Sequence, residues 1–399
     1  MRDRFLILFL IAITCGPSVA AEPATTQSTD LPQPRRVNLK LDNTPAAEAL
    51  RQLFDDAGLR SEDVHNPNFT RPLAGLTVTA DIIDQPFMLA LLEICRQTGL
   101  EPTFTPMQGR PVSFTFRGAR RPGTAPATVP MRRSWMDGPV TSGGPLVFIA
   151  GGVTRRSEAD LESGGGVTQS MTLAMMALRD PGIRLFGAAE KLVVDEAIDE
   201  AGRSLRIEPS PEDRQSQPRA AHDSERLLIP ITVPLAYTEE SQTLKRLRGR
   251  LNTAIVTKTE PVEIIRDGKS IADQKQAGKL RFTIGKLEET GQTARLAITV
   301  HDYPPGPDVW NEVRALTSRS GFRVLEPPDA RYWIEANIHS HLGDRLEGWV
   351  EFRPLPAGPG APQKPGRIPQ RVVWDAPVEV SEVAVPVEFT DLPLPARKK

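Results

Sequence analysis

His339 and His341 stand two apart in the chain, with Glu335, Asp344 and Glu347 nearby. On a strand, residues two apart share a face, and two imidazoles on one face have a metal-ligating spacing. A closed structural zinc site takes four ligands, and no cysteine lies near. The pair is therefore a weak metal candidate that reads first as part of a solvated strand, and no metal site is assigned. His65, His222 and His301 are scattered. Cys95 falls on an apolar stripe four residues after Leu91. A thiol in such surroundings packs as a small hydrophobe and stays protonated, so it is expected to be buried and inert. Asp267-Gly268-Lys269-Ser270 contains Gly-Lys-Ser, but Glu263 stands where a phosphate-cradling loop needs its first glycine. A hairpin turn is expected there instead. Gly164-Gly165-Gly166 lacks the strand-then-helix frame of a dinucleotide loop and reads as a loop. The acidic pairs Glu239-Glu240 and Glu288-Glu289 fall at turn signals, as solvated ends. Neither a nucleophile elbow nor a His-Glu-x-x-His helix is present. With no catalytic residue and no cofactor site assigned, the expectation is a protein that is not an enzyme.

The beginning of the chain sets its expected compartment. Arg2 and Arg4 precede an apolar run from Phe5 to Ile13, and the small residues Ser18-Val19-Ala20-Ala21 follow. That order is the pattern of a secretory signal peptide over residues 1–21, cleaved near Ala20/Ala21. The apolar run falls short of the ~20 residues that span a bilayer. Ala12-Ile13-Thr14 does not fit lipidation at Cys15. No second long apolar stretch follows, so the exported chain is expected not to span the membrane and to be periplasmic or extracellular. Net charge is −1 over the whole chain, which argues against a nucleic-acid partner, since such proteins carry a basic face. Once Cys15 leaves with the signal, Cys95 is alone, and an intramolecular disulfide is excluded. Stability must then come from apolar cores. The 38 prolines among 399 residues point to many loops and strand ends.

Residues 22–35 are polar and proline-rich and read as a linker. Val37, Leu39 and Leu41 then alternate with polar residues as a half-buried strand. Thr44 and Pro45 suit a helix start, and Ala46, Leu50, Leu53, Phe54 and Ala57 follow at helical spacing up to Gly58. Leu76, Val78, Ala80 and Ile82 form a second strand. Asp84 is placed to cap a second helix with the face Phe87, Ala90, Leu91, Ile94 and Cys95, ended by Gly99. Two strands follow, at 102–105 and 112–116. The order predicts a two-layer βαββαββ module over 36–117, with both helices on one face of a sheet.

The stretches VNLKLDNTPAAEALRQLFDDAGL and GLTVTADIIDQPFMLALLEICRQTGLEPTF resemble the short N-terminal (STN) domain of secretins and TonB-dependent receptors, including both Gly-Leu helix endings, Gly58-Leu59 and Gly99-Leu100. The resemblance covers about 80 residues and rests on patterned apolar positions, so it implies a fold and a docking role rather than an activity. The polar segment Arg60–Val64 departs from the family's second strand. The partner it implies is another envelope protein, engaged by strand addition.

A Gly/Pro/Arg-rich stretch, 118–145, reads as a linker. Beyond it, short alternating segments and turn signals predict a β-sandwich-like domain at 146–301, and a β-rich C-terminal unit at 302–396 with a Pro/Gly loop at 354–370. Val309 to Leu316 reads as a helical segment. Whether the β region is one sandwich or two stays open. The expected class is α+β. The expected function is non-enzymatic binding or scaffolding in the cell envelope. The alternatives are an exported hydrolase using the His339/His341 region, or a cell-wall carbohydrate binder using Trp135, Trp310, Trp333, Trp349 and Trp374.

Overall fold

The structure is a computed structural model that describes residues 32–59, 73, 75–107, 110–118, 135–159, 167–188, 191–208, 227–277, 280–301, 321–325, 332–342, 344–354 and 368–395. The expected signal peptide, Arg60–Val64, Gly164–Gly166, Val309–Leu316 and most of the 354–370 loop lie outside these residues. Strand accounts for 68% of the described residues and helix for 11%, so the class is mainly β rather than the expected α+β. The two clear helical patterns near the N-terminus weighted the sequence reading toward helix, yet they are the only α-helices among the described residues.

The N-terminal module runs β1 (Arg36–Pro45), α1 (Ala46–Asp56), β2 (Thr77–Pro86), α2 (Phe87–Thr98), β3 (Leu100–Met107) and β4 (Arg110–Gly118). β1 pairs antiparallel with β2, and β3 with β4. The expected single sheet is thus, among the described residues, two separate two-stranded ones. Eight of the twelve α2 residues are buried, more than one covered face allows. Val37, Leu39, Leu41, Val78 and Ile82 cover the helices from β1 and β2. From β4, Phe114 meets Phe54 and Phe87 edge-to-face, with centroids 4.7 and 5.9 Å away. The helices therefore lie between two hairpin-like layers, and the expected two-layer module gains a third.

β1–α1 and β2–α2 are copies of one another, 41 positions apart. Val37, Pro45, Ala49, Leu50, Gly58 and Leu59 recur as Val78, Pro86, Ala90, Leu91, Gly99 and Leu100. The copies are related by a two-fold axis, because Arg36 pairs with Pro86 and its counterpart Thr77 pairs with Pro45. Hydrogen bonds repeat as well. The Ala46 N–H donates to Leu76 O, and the Phe87 N–H to Arg35 O. Likewise the Asn43 N–H reaches Thr79 Oγ1, and the Asp84 N–H reaches Asn38 Oδ1. These bonds correct the expected caps. Pro45 and Pro86 stand at the N-caps with no side-chain cap bond, since a backbone carbonyl of the other copy serves the first free amide. Asn43 and Asp84 instead take left-handed bulge conformations, φ 47° each.

β5 (Val140–Gly143), β6 (Leu146–Ala159), β7 (Val167–Arg179) and β10 (Leu228–Leu235) make a four-stranded sheet in the order β10-β7-β6-β5. Val147, Ile149, Leu178 and Leu227 join the module's own core, as does Met136 from a 3-10 turn at Trp135–Asp137. Part of the expected linker 118–145 is therefore ordered turn and strand, and the module is seated on the sheet. Arg96 fastens it, donating through Nε to Met136 O (2.8 Å) and through a terminal nitrogen to Gly138 O (2.7 Å). Asp180 fastens the other end, accepting from the Arg35 and Gly182 amides. Burial raises the Asp180 pKa despite those donors.

Two strands organise the rest. β11 (Thr243–Arg266) and β19 (Val372–Pro393) pair antiparallel along nearly their whole lengths. β11's other edge is taken in turn by β9 (Val193–Asp199), β8 (Leu185–Ala188) and β12 (Lys269–Ser270), while β16 (Phe322–Val324) pairs with β19. The ribbon is buried toward one end at Leu244, Leu247, Leu251, Val385, Val387 and Phe389, where it lies beside β5. At the other end Val262, Ile264, Val372, Trp374 and Ala376 enter a separate core with a five-stranded sheet. That sheet comprises β13 (Gln274–Ala277), β14 (Leu280–Thr290), β15 (Thr293–His301), β18 (Arg345–Pro354) and β17 (Tyr332–Leu342), in spatial order. Thr257, Lys258, Thr259, Glu379, Val380 and Glu382 are exposed between the two cores, at register shifts around Lys258. Two sandwiches thus share one ribbon. The expected boundary at 301/302 does not hold, because β15 pairs with β18 and β11 with β19 across it.

Candidate functional site

The residues with the most obvious chemistry do not converge. His339 and His341 fall on β17, their side chains outside the described residues, and no cluster of metal-ligating side chains occurs among the described residues. His301 is instead bonded to Thr283 (2.8 Å). Cys95 is fully buried, and burial pushes its thiol far up, as the apolar stripe required. Asp267-Gly268 forms the left-handed turn joining β11 to β12, so Lys269 and Ser270 belong to a hairpin. The basic run Lys245–Arg250 is neutralised rung by rung, by Asp391, Glu196, Glu388 and Asp195. Glu240 is held by Arg203. Trp374 is core, Trp135 packs against the module core, and Trp310 lies outside the described residues. Trp333 and Trp349 share the outer face of the five-stranded sheet, Trp333 being 38% exposed. Between them Glu351 accepts from Arg295 (2.9 Å) and Arg353 (3.0 Å), and Arg295 lies 4.5 Å over the Trp349 ring. Burial works to raise the Glu351 pKa, but the two guanidinium donors outweigh it and the pKa falls.

One concave site is built from main chain. Between β2, α2 and β5 lies a groove of about 440 Å³, lined by Thr79 to Ile82, Gln85, Leu89, Leu92, Glu93, Arg96, Gln97 and Val140. Among the described residues β2 pairs only with β1, so its outer edge faces this groove. Gln97 shows what chemistry that edge offers. Its side-chain amide accepts from the Thr79 N–H and donates to the Thr79 carbonyl, 3.1 Å each, as a residue of a neighbouring strand would. Glu93 holds the same amide from behind (2.8 Å). Asp56 makes the equivalent bond to the Asn38 N–H on the other copy. Two residues beyond Thr79, the backbone of Asp81 addresses the same edge by the period-two rule. Beside it stands Ile83, 70% exposed, the most exposed large hydrophobic among the described residues.

No protein-family model, curated protein or solved structure matches this chain.

β2 and α2 are legible in the sequence, but the groove is not. The signal was available in the 41-residue repeat: a second strand-to-helix copy whose strand has period-two polarity and whose helix carries Glu93 and Gln97 on its solvent side.

Proposed function

We propose that the protein is an exported envelope component that binds or scaffolds, docking an extended segment of another envelope protein along the β2 edge. The observation that carries this reading is a strand edge unpaired among the described residues, beside a groove, with Gln97 standing in for a partner at a single position. Strand addition satisfies main-chain donors and acceptors that otherwise face water, and pockets beside the edge supply selectivity. Seating of the module on the four-stranded sheet supports the reading too, because Val140 makes that sheet a wall of the groove. Resemblance of residues 36–117 to the STN domain adds the compartment and the kind of partner. The test is a photo-crosslinking residue placed at Ile83, with a control at Lys269, in cells producing the full chain. A discrete envelope-protein adduct from position 83 alone is expected. Adducts equal at both positions, or none at 83, remove the reading.

A second reading, binding of a cell-wall polymer, draws on Trp333 and Trp349 lying on one sheet face. Trp333→Ala would then release the protein from isolated cell-wall material, and equal retention of the variant eliminates it.

A further inference from the structure

We infer that the occupant of the β2 groove is an extended peptide whose apolar side chains alternate with lysine or arginine. This rests on the docking reading above and names the chemistry of its partner. The floor of the groove is apolar, formed by Ala80, Ile82, Leu89, Leu92 and Val140. Its exposed charges are the carboxylates of Asp81 and Glu93. Arg96 is the groove's one cation, and its guanidinium is committed to the carbonyls of Met136 and Gly138. The lining carries a net charge of −1, two carboxylates against one guanidinium, while Lys40 stands cross-strand from Asp81 on β1. A strand laid along β2 alternates its side chains between two faces. One set points toward α2 and Val140, where only apolar groups are accommodated without loss of hydration. The other set lies on the solvent face beside Asp81, where a cation is favoured and a carboxylate is repelled. Glu93, exposed on the helix-side rim, accepts from Gln97 through one of its two carboxylate oxygens.

The experiment titrates the full-length purified protein with two short synthetic peptides at low salt. One alternates valine with lysine, the other valine with glutamate. The lysine peptide is expected to bind roughly fivefold more tightly or better, the size of one to two cross-strand charge pairs. In the double variant Asp81→Lys/Glu93→Lys the preference is expected to invert. Both positions are exposed, so the variant retains its fold, which circular dichroism checks. Asp81→Pro removes an edge amide while remaining compatible with an edge strand, and is expected to abolish binding of the lysine peptide. Equal affinities, tighter binding of the glutamate peptide, or a preference unchanged in the double variant overturn the inference. Binding of neither peptide overturns it as well. If in that case the crosslink at Ile83 persists and is lost in Asp81→Pro, the docking reading stands and only the charge assignment falls. Loss of both the peptide binding and the crosslink removes the two together.

Discussion

Phe114→Ala tests whether the β3–β4 hairpin closes the module over its helices. Phe114 is 1% exposed and touches three rings, Phe54, Phe87 and Phe104, all near-perpendicular. A buried phenylalanine removes about 150–250 Å² from water, roughly 4–6 kcal/mol at 25 cal/mol per Å². Truncation keeps the β-carbon contribution, and a compact unfolded state lowers the total further, by about 10–40%. The cavity left among rigid rings adds some of it back. The expected loss is about 4 kcal/mol, inside the range of about 3–5 measured for such truncations. Urea denaturation followed by far-ultraviolet circular dichroism measures it, with Ile83→Ala as a control expected to stay within about 0.5 kcal/mol. A loss for Phe114→Ala below about 1 kcal/mol would refute the reasoning, because a hairpin lying loose against the helices would leave those rings unpaired.

Four further outcomes follow from named residues. Asp199 is buried, yet its pKa falls to about 2, since donors from Ser241, Arg203 and Ala201 outweigh the burial that works to raise it. A lowered native pKa means stability present above the unfolded value near 3.8 and lost as pH falls through about 2, so urea midpoints below pH 4 should drop, and Asp199→Asn should flatten that drop. Asp180 works the other way: its raised native pKa gives a contribution present below 3.8 and lost as pH rises through the native value, which Asp180→Asn should remove from the midpoint profile. A β-carbon on Gly143 would lie 2.0 Å from the Pro386 carbonyl oxygen, so Gly143→Ala should cost about 1–3 kcal/mol in urea melts, while Gly152→Ala, which meets nothing within 4 Å, should cost far less. In protein lacking the N-terminal 21 residues, a thiol reagent should leave Cys95 unmodified until denaturant is added, and rapid native labelling would contradict its burial.

The module was the most legible part of the sequence because its signals are local. Leu50, Leu53, Leu91 and Ile94 mark the helix stripes, and Gly58 and Gly99 take the left-handed conformation their positions required. The caps were misread because the amides at Ala46 and Phe87 are served by carbonyls some thirty to fifty residues away, which no local motif encodes. The long strands were misread for a related reason. β11 does not read as one strand because the exposed residues Thr257, Lys258 and Thr259 interrupt the alternation where it passes between two cores. Nor did the hairpin signals reveal that β19, at the far end of the chain, supplies β11's partner. The groove was illegible because it depends on Val140, from a stretch whose glycines and prolines read as linker, lying against β2.

The shared ribbon has a consequence for how the chain is made. Neither sandwich has its second wall complete until residues 372–393 are present, since β19 lines both cores. A nascent chain must therefore wait, unclosed, until residues 372–393 have emerged, and pairings of such long sequence separation form slowly. Removing that strand would not trim a tail but would open two cores at once, leaving one long edge of β11 as a bare template for aggregation.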